Sequence, residues 1–209
     1  MAQNIAVRRA AKAQRRKTIV AQKRKSDIET GSTAGQIRLA VATPIQHCLL
    51  SSGLFGTGMG SLVLARGATP YNVTTAVFLL DTLALGIKDV FIRPLGDREF
   101  AGYVDRMSIL TPMVPVEPSY ARKLLHDLEA WARTIGVAPH RDYAGIERLF
   151  GTTDPAACDA AFEFDLEGKP VFVGDLSDMR LEPPDTDEFT IEVVALDPGS
   201  LEHDAAPPN

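Results

Sequence analysis

The sequence predicts an α+β domain in which an antiparallel meander is packed by one long helix. Short apolar runs rich in Val, Leu, Ile and Phe follow one another over residues 37–93, and such runs are typical of β-strands. The segments between them are too short for crossover helices, which favours antiparallel pairing. A long segment with apolar residues at helical spacing follows at residues 119–135.

Five candidate strands form the predicted sheet, at residues 37–42, 45–50, 61–66, 73–80 and 88–93. Pro44 separates the first two, and the turn sequence GATPYN (67–72) separates the third from the fourth. The expected core is AVFLLDTLALGIKDVFIRPL (76–95), because continuous apolar runs suit strands that are buried on both faces.

Four glycines punctuate the segment between the second and third strands: Gly53, Gly56, Gly58 and Gly60. We interpret this segment as a hairpin loop. The alternative is a loop whose backbone amides bind phosphate. The spacing fits neither the Walker A pattern nor a GxGxxG fingerprint.

The second half of the predicted domain is mainly helical. Residues 96–118 are predicted to be irregular, and Ser119 is the expected N-cap of a helix over 119–135. Its apolar stripe comprises Tyr120, Leu124, Leu128, Trp131 and Ile135. A short helix is predicted over 142–150, and Asp154–Pro155 should start one further turn. Residues 161–164 and 170–174 flank Glu167–Gly168 as a closing hairpin.

The chain divides into four predicted regions. Residues 1–26 form a basic helical arm, 27–35 a linker, 36–178 a single α+β domain, and 179–209 an acidic, Pro-rich tail. Residues 189–195 are a candidate strand within the tail.

Cys48 and Cys158 are isolated, which disfavours a structural zinc site. We find neither an apolar segment that follows the N-terminal charges, as in a secretion signal, nor a bilayer-length apolar run, and therefore expect a cytoplasmic protein.

Charge is distributed unevenly along the chain. The arm has nine basic residues and no acidic ones, whereas the remainder has 13 basic and 27 acidic residues. Such an arm predicts a polyanionic partner, with RNA, DNA or a ribonucleoprotein favoured over a membrane surface. The alternative is a solubilising tail, or a clamp onto the acidic body. The predicted nucleic-acid-binding residues are Arg8, Arg9, Lys12, Arg15, Arg16, Lys17, Lys23, Arg24 and Lys25.

A second set of residues is a candidate catalytic site: Asp81, Lys88, Asp89, His140 and Asp142. Carboxylates that end one strand and start the next can converge on a divalent cation, and a loop histidine can act as a general base. The structural alternative is that Asp81 accepts hydrogen bonds from turn amides, that Lys88 pairs with an acid, and that Asp142 caps the next helix.

Three stretches resemble a bacterial protein family: VFLLDTLALGIKDVF (77–91), GVAPHRDY (136–143) and LFGTTDPAACDAAFEFDLEGKPVFVGDLSD (149–178). The basic start of the chain is also similar to that family. The resemblance implies that the five candidate catalytic residues belong to one pattern, but it supplies no reaction. Ala84 stands where the family pattern leads us to expect a cysteine, which argues against a thiol site there.

Together these observations predict an accessory protein that binds nucleic acid or a ribonucleoprotein through its arm, with an acidic body for contact with a protein partner. One alternative is a metal-dependent phosphodiesterase or nuclease that uses Asp81, Asp89 and the His140/Asp142 loop. Another is a structural protein-interaction module. No cofactor is expected, except a divalent cation under the first alternative.

Overall fold

The computed structural model describes residues 32–165 and Val171. It contains five strands, five α-helices and two 3₁₀ turns. The strands are β1 (Ile45–Ser51), β2 (Met59–Thr69), β3 (Asn72–Asp81), β4 (Gly86–Leu95) and β5 (Met113–Pro115). The helices are α1 (Thr33–Val41), α2 (Leu54–Thr57), α3 (Asp97–Met107), α4 (Pro118–Thr134) and α5 (Tyr143–Ile146). The 3₁₀ turns are Glu147–Phe150 and Pro155–Ala157.

The strands form one antiparallel sheet with the order β4-β3-β2-β1-β5. The first four strands are joined as a meander, as the sequence predicts, and β5 returns to pair with β1 at the opposite edge. The predicted α+β class is therefore confirmed. Strand β3 lies between β4 and the central strand β2, and Phe78 and Val77 on its two faces are both fully buried.

One face of the sheet carries the larger core. Phe78 and Leu80 of β3 lie on this face with Leu124 and Leu128 of α4 and with Phe150 after α5. All five side chains are at most 1% exposed. The predicted long helix is therefore confirmed as the main cover of the sheet. It begins at Pro118, with Glu117 as N-cap, so the prediction of Ser119 as N-cap is wrong.

Helix α3 covers the other face of the sheet, which the sequence reasoning left without a cover. Its Phe100 joins Val63, Val77 and Leu95 in a second buried cluster, and Tyr103 packs against that cluster. The prediction that residues 96–118 are irregular is therefore wrong. The helix is stabilised at its start because Glu99 Oε2 accepts a hydrogen bond from the Gly96 amide at 2.9 Å.

The predicted first strand at residues 37–42 is also wrong, because these residues continue helix α1. The Ser32 hydroxyl caps the helix by accepting a hydrogen bond from Gly35 N at 3.1 Å. Ile37 and Ala40, three residues apart, face the core and are 6% and 4% exposed. The helix starts at Thr33, inside the predicted linker 27–35.

The end of the described chain packs without forming a strand. Phe162 lies against Tyr120 and Phe164 against Trp131 of α4, with ring centroids 5.1 and 5.6 Å apart. The prediction of a strand at 161–164 is therefore wrong, and the rest of the predicted hairpin, apart from Val171, lies outside the described residues. So do the basic arm (1–26), the candidate strand at 189–195 and the acidic tail (179–209).

Candidate functional site

Asp81 is engaged in the turn between β3 and β4. It is 7% exposed, and its Oδ1 accepts hydrogen bonds from the amides of Leu83 and Ala84, both at 2.9 Å. A buried carboxylate needs such donors, because an unsatisfied charge in the protein interior is costly. These are the turn-amide hydrogen bonds that the structural interpretation of Asp81 predicts.

Three of the other candidate residues meet at the outer edge of β4. His140 Nε2 lies 3.5 Å from Asp89 Oδ1, and His140 Nδ1 lies 3.9 Å from Asp142 Oδ2. Lys88 is the extra residue of a β-bulge, because Ile87 stands opposite Leu80 while Asp89 stands opposite Leu79. The fold thus brings Asp89, His140 and Asp142 together across fifty residues of sequence.

The hydrogen bonds around His140 define its role more closely. Its amide donates to Ile87 O at 3.1 Å, which attaches the loop to the free side of β4. The Asp142 amide donates to His140 Nδ1 at 3.3 Å. This contact places the proton of the neutral ring on Nε2, towards Asp89. The arrangement therefore holds the 140–142 loop on the sheet edge. Asp142 makes no side-chain capping bond to α5.

Metal-binding geometry was the basis of the phosphodiesterase alternative. Within residues 32–165, no group of three or more His, Cys, Asp or Glu side chains is arranged to hold a metal ion. The carboxylate of Asp81 faces the turn amides, while Asp89 and Asp142 flank His140 at the strand edge. The geometry accordingly favours a structural role for Asp81 and a structural role for the cluster of Asp89, His140 and Asp142.

His47 and Cys48 of β1 also have structural surroundings. His47 stacks on Phe100 with ring centroids 4.4 Å apart, and its Nε2 lies 3.1 Å from Pro70 O. Burial, with a smaller contribution from the charge of Glu117, raises the pKa of Cys48 to about 12. Its thiol is thus protonated at neutral pH and is a poor nucleophile.

The predicted hairpin loop at the glycine run is confirmed, with the short helix α2 inside it.

Arg66 of β2 is the most unusual polar group in the core. It is 8% exposed, and its guanidinium donates to four backbone carbonyls. Nε donates to Leu149 O at 2.6 Å, Nη2 to Phe150 O at 2.8 Å, and Nη1 to both Val41 O and Thr43 O, at 3.3 and 2.5 Å. Burial lowers the pKa of Arg66.

These four contacts make Arg66 a junction between secondary-structure elements. Val41 is the last residue of α1 and Thr43 follows shortly after it, and Leu149 and Phe150 belong to the 3₁₀ turn Glu147–Phe150 directly after α5. Carbonyl groups at helix ends carry partial negative charge and lack partners within the helix. The arginine satisfies both ends at once, and so holds α1 and the α5 region at the same end of β2.

Helix α1, strand β4 and helix α5 enclose a surface cleft of about 760 Å³. Its floor includes the apolar side chains Ile37, Val90, Ile92 and Ile146. Three arginines, Arg38, Arg141 and Arg148, line it together with one acidic residue, Asp142. Sequence reasoning missed this set, because Arg38 stood in a predicted strand and the three arginines are distributed over 110 residues.

The cleft includes the N-terminal end of the described domain. Thr33 and Ala34, the first residues of α1, line the cleft, and the arm precedes α1 in the chain. The arm's nine basic residues themselves lie outside the described residues. Over residues 32–165, no helix has the length and apolar character needed to cross a membrane.

Comparisons of the chain with models of protein families, with curated proteins and with solved structures find no match. The resemblance of the 77–91, 136–143 and 149–178 stretches to a bacterial family therefore stays a prediction.

Proposed function

We propose that this protein associates with nucleic acid or with a ribonucleoprotein through its basic arm, while its acidic body is available to a protein partner. One observation carries the proposal: residues 1–26 contain nine basic residues and no acidic residue, in a chain whose net charge is −5. Lys and Arg bind phosphates without sequence preference and release condensed counterions as they do so.

The net negative charge of the domain supports the proposal that the arm, rather than the domain as a whole, binds the polyanion. Residues 32–165 contain eleven basic and fourteen acidic residues, a net charge of −3. A surface of this sign does not attract a phosphate backbone as a whole. Affinity for a polyanion is therefore expected to come from the arm and from local groups of basic residues.

Exposed apolar side chains mark where a protein partner would bind the body. Ile109 and Leu110, in the loop between α3 and β5, are 78% and 94% exposed. Strand β5 beside them forms an edge of the described sheet. Exposed apolar residues next to a strand edge are typical of protein-contact surfaces.

Binding isotherms across a salt series test the proposal. The intact chain is titrated with a single-stranded RNA and with a DNA duplex between 50 and 200 mM salt. We expect log K to fall linearly with log salt. If all nine basic residues contact phosphates of the single strand, the slope reaches about −6, which is its steepest expected value. Replacing those nine residues by glutamine should remove most of the slope.

Two outcomes would overturn the proposal. One is that the intact chain binds neither RNA nor DNA at 50 mM salt. The other is that the glutamine variant binds as tightly as the intact chain and with the same slope. Circular dichroism of both proteins shows whether the substitutions leave the α+β domain folded.

A further inference from the structure

We infer that the cleft between α1, β4 and α5 receives a single-stranded segment of the nucleic acid, whose phosphates lie at Arg38, Arg141 and Arg148. This inference rests on the proposed function of the arm and assigns it a second contact site within the folded domain. The argument uses the charge of the cleft, its apolar floor and its position next to the arm.

The charge at the cleft is opposite in sign to that of the domain. Three arginines and one aspartate line it, a local net charge of +2, whereas residues 32–165 carry −3. Arg141 is 88% exposed and only loosely paired, with its Nε 3.9 Å from Asp142 Oδ2. Arginine is well suited to this position because its planar guanidinium binds phosphate oxygens in a bidentate manner.

The floor of the cleft favours a single strand over a duplex. Of the apolar residues that line it, Ile37, Val90 and Ile146 are only 3–6% exposed, whereas Ile92 is partly buried and Phe91 is 37% exposed. A duplex hides its base faces in the stack and presents only phosphates and groove edges. A single strand exposes its base faces, which can lie on apolar side chains while the phosphates remain at the charged rim.

The cleft begins at the residues that follow the arm and its linker in the sequence. Thr33 and Ala34 line the cleft, and Lys25, the last basic residue of the arm, precedes Thr33 by eight residues. Eight residues span at most about 28 Å when extended, so a strand held by the arm passes close to the cleft. Strand β4, at the cleft, has no strand on its outer side among residues 32–165.

The first test removes charge from the cleft. The full chain carrying Arg141→Ala and Arg148→Ala is compared with the full chain carrying Arg98→Ala and Arg133→Ala. The control pair removes the same net charge from α3 and α4, outside the cleft. With a labelled uridine 12-mer, the cleft variant should bind about tenfold more weakly than the control. Its salt slope should be less steep by about 1.4 units, because each lost phosphate contact removes about 0.7.

The second test fills the cleft without changing charge. Gly145 of α5 lines the cleft, and a Cβ added there has no atom within 4 Å. Gly145→Leu should therefore fold normally and weaken binding of the 12-mer severalfold, with an unchanged salt slope. Gly56→Leu is the matched control, because Gly56 also faces open space and does not line the cleft.

Crosslinking supplies a readout that is independent of affinity. A 12-mer that contains 4-thiouridine is irradiated on the unmodified protein, and the crosslinked peptides are identified by mass spectrometry. We expect crosslinks within residues 90–92 or 141–148 as well as in the arm. The corresponding duplex should crosslink to the arm alone.

The outcomes separate this inference from the proposed function. If the arm binds nucleic acid but the cleft variants match their controls and every crosslink lies in residues 1–31, the cleft inference is overturned and the arm proposal stands. If the intact chain binds no nucleic acid, both are overturned.

Discussion

Replacing Arg66 by methionine should destabilise the domain by about 3 kcal/mol. The two hydrogen bonds to Leu149 O and Phe150 O are fully buried, and bonds to a charged group contribute about 1.5–3 kcal/mol each. Their loss alone would therefore cost about 3–6 kcal/mol. Removing a buried charge recovers part of that cost, as the lowered pKa of Arg66 indicates, which places the net effect at the lower end.

Equilibrium urea unfolding followed by circular dichroism measures this change. At an unchanged m-value of about 1–3 kcal/mol per M, a loss of 3 kcal/mol lowers the midpoint by at least about 1 M. Arg133→Met is the control, because Arg133 is half-exposed and pairs with Glu129 on the same helix. Such a pair contributes at most about 0.5 kcal/mol. A loss of less than about 1 kcal/mol in Arg66→Met would refute the idea that these carbonyls depend on Arg66.

A second substitution, at Gly151, tests the packing around the Arg66 guanidinium from the chain that lies against it. Gly151 has a φ of +64°, and a Cβ there would lie 2.9 Å from Arg66 Nη2. Gly151→Ala should cost about 1–3 kcal/mol in backbone strain, because a φ of +64° with a ψ of −124° is sparsely populated by residues other than glycine, with a further loss because the guanidinium must move. In a protein that already carries Arg66→Met, only the strain remains. The two substitutions should therefore be non-additive in a double-mutant cycle, and strict additivity would show that they do not act on one contact.

Three further predictions concern the β3–β4 turn and the thiols. Gly86→Ala should lower the free energy of unfolding, measured in urea, by about 2–4 kcal/mol. The reason is that φ is +65° and that the new Cβ would lie 2.6 Å from Ala132 Cβ of α4. An unchanged free energy of unfolding would contradict this packing. Asp81→Ala should cost about 1–3 kcal/mol through two lost amide hydrogen bonds, and Asp81→Asn less; equal losses would argue against the turn role. At pH 8, Cys48 should be alkylated at least about a hundredfold more slowly than the half-buried Cys158, because a pKa of about 12 leaves little thiolate; mass spectrometry of the labelled peptides measures both rates.

The sequence by itself determined the parts of the fold whose patterns are long or chemically specific. The apolar run of β3 is continuous, contains β-branched and aromatic residues and is bounded by turn residues, which together favour a strand buried on both faces. The period of α4 persists over four turns, which makes a helix unambiguous. The Asp154–Pro155 pair also predicted its turn correctly, with Asp154 accepting from Ala156 N at 2.9 Å. The charge of the arm is likewise a property of sequence alone.

Tertiary structure decided the secondary structure of the segments whose local sequence is compatible with two different conformations. Residues 37–42 read as a strand because short apolar runs suit both structures. They are helical because Ser32 caps them and because Arg66, distant in sequence, holds their C-terminal carbonyls. Helix α3 carries a usable pattern in Phe100, Tyr103 and Met107, which lie three to four residues apart. The prolines that follow drew the prediction towards an irregular segment.

The candidate functional surfaces show the same division between local sequence and tertiary structure. The sequence left both catalysis and a turn open for Asp81, and the positions of the Leu83 and Ala84 amides show that its carboxylate accepts hydrogen bonds in the turn. The cleft depends on arginines from α1, from the loop before α5 and from the 3₁₀ turn after α5, which meet through the packing around Arg66 and leave no local trace. A sequence can specify which side chains are charged, but which of them share a surface depends on long-range contacts that only the folded chain provides.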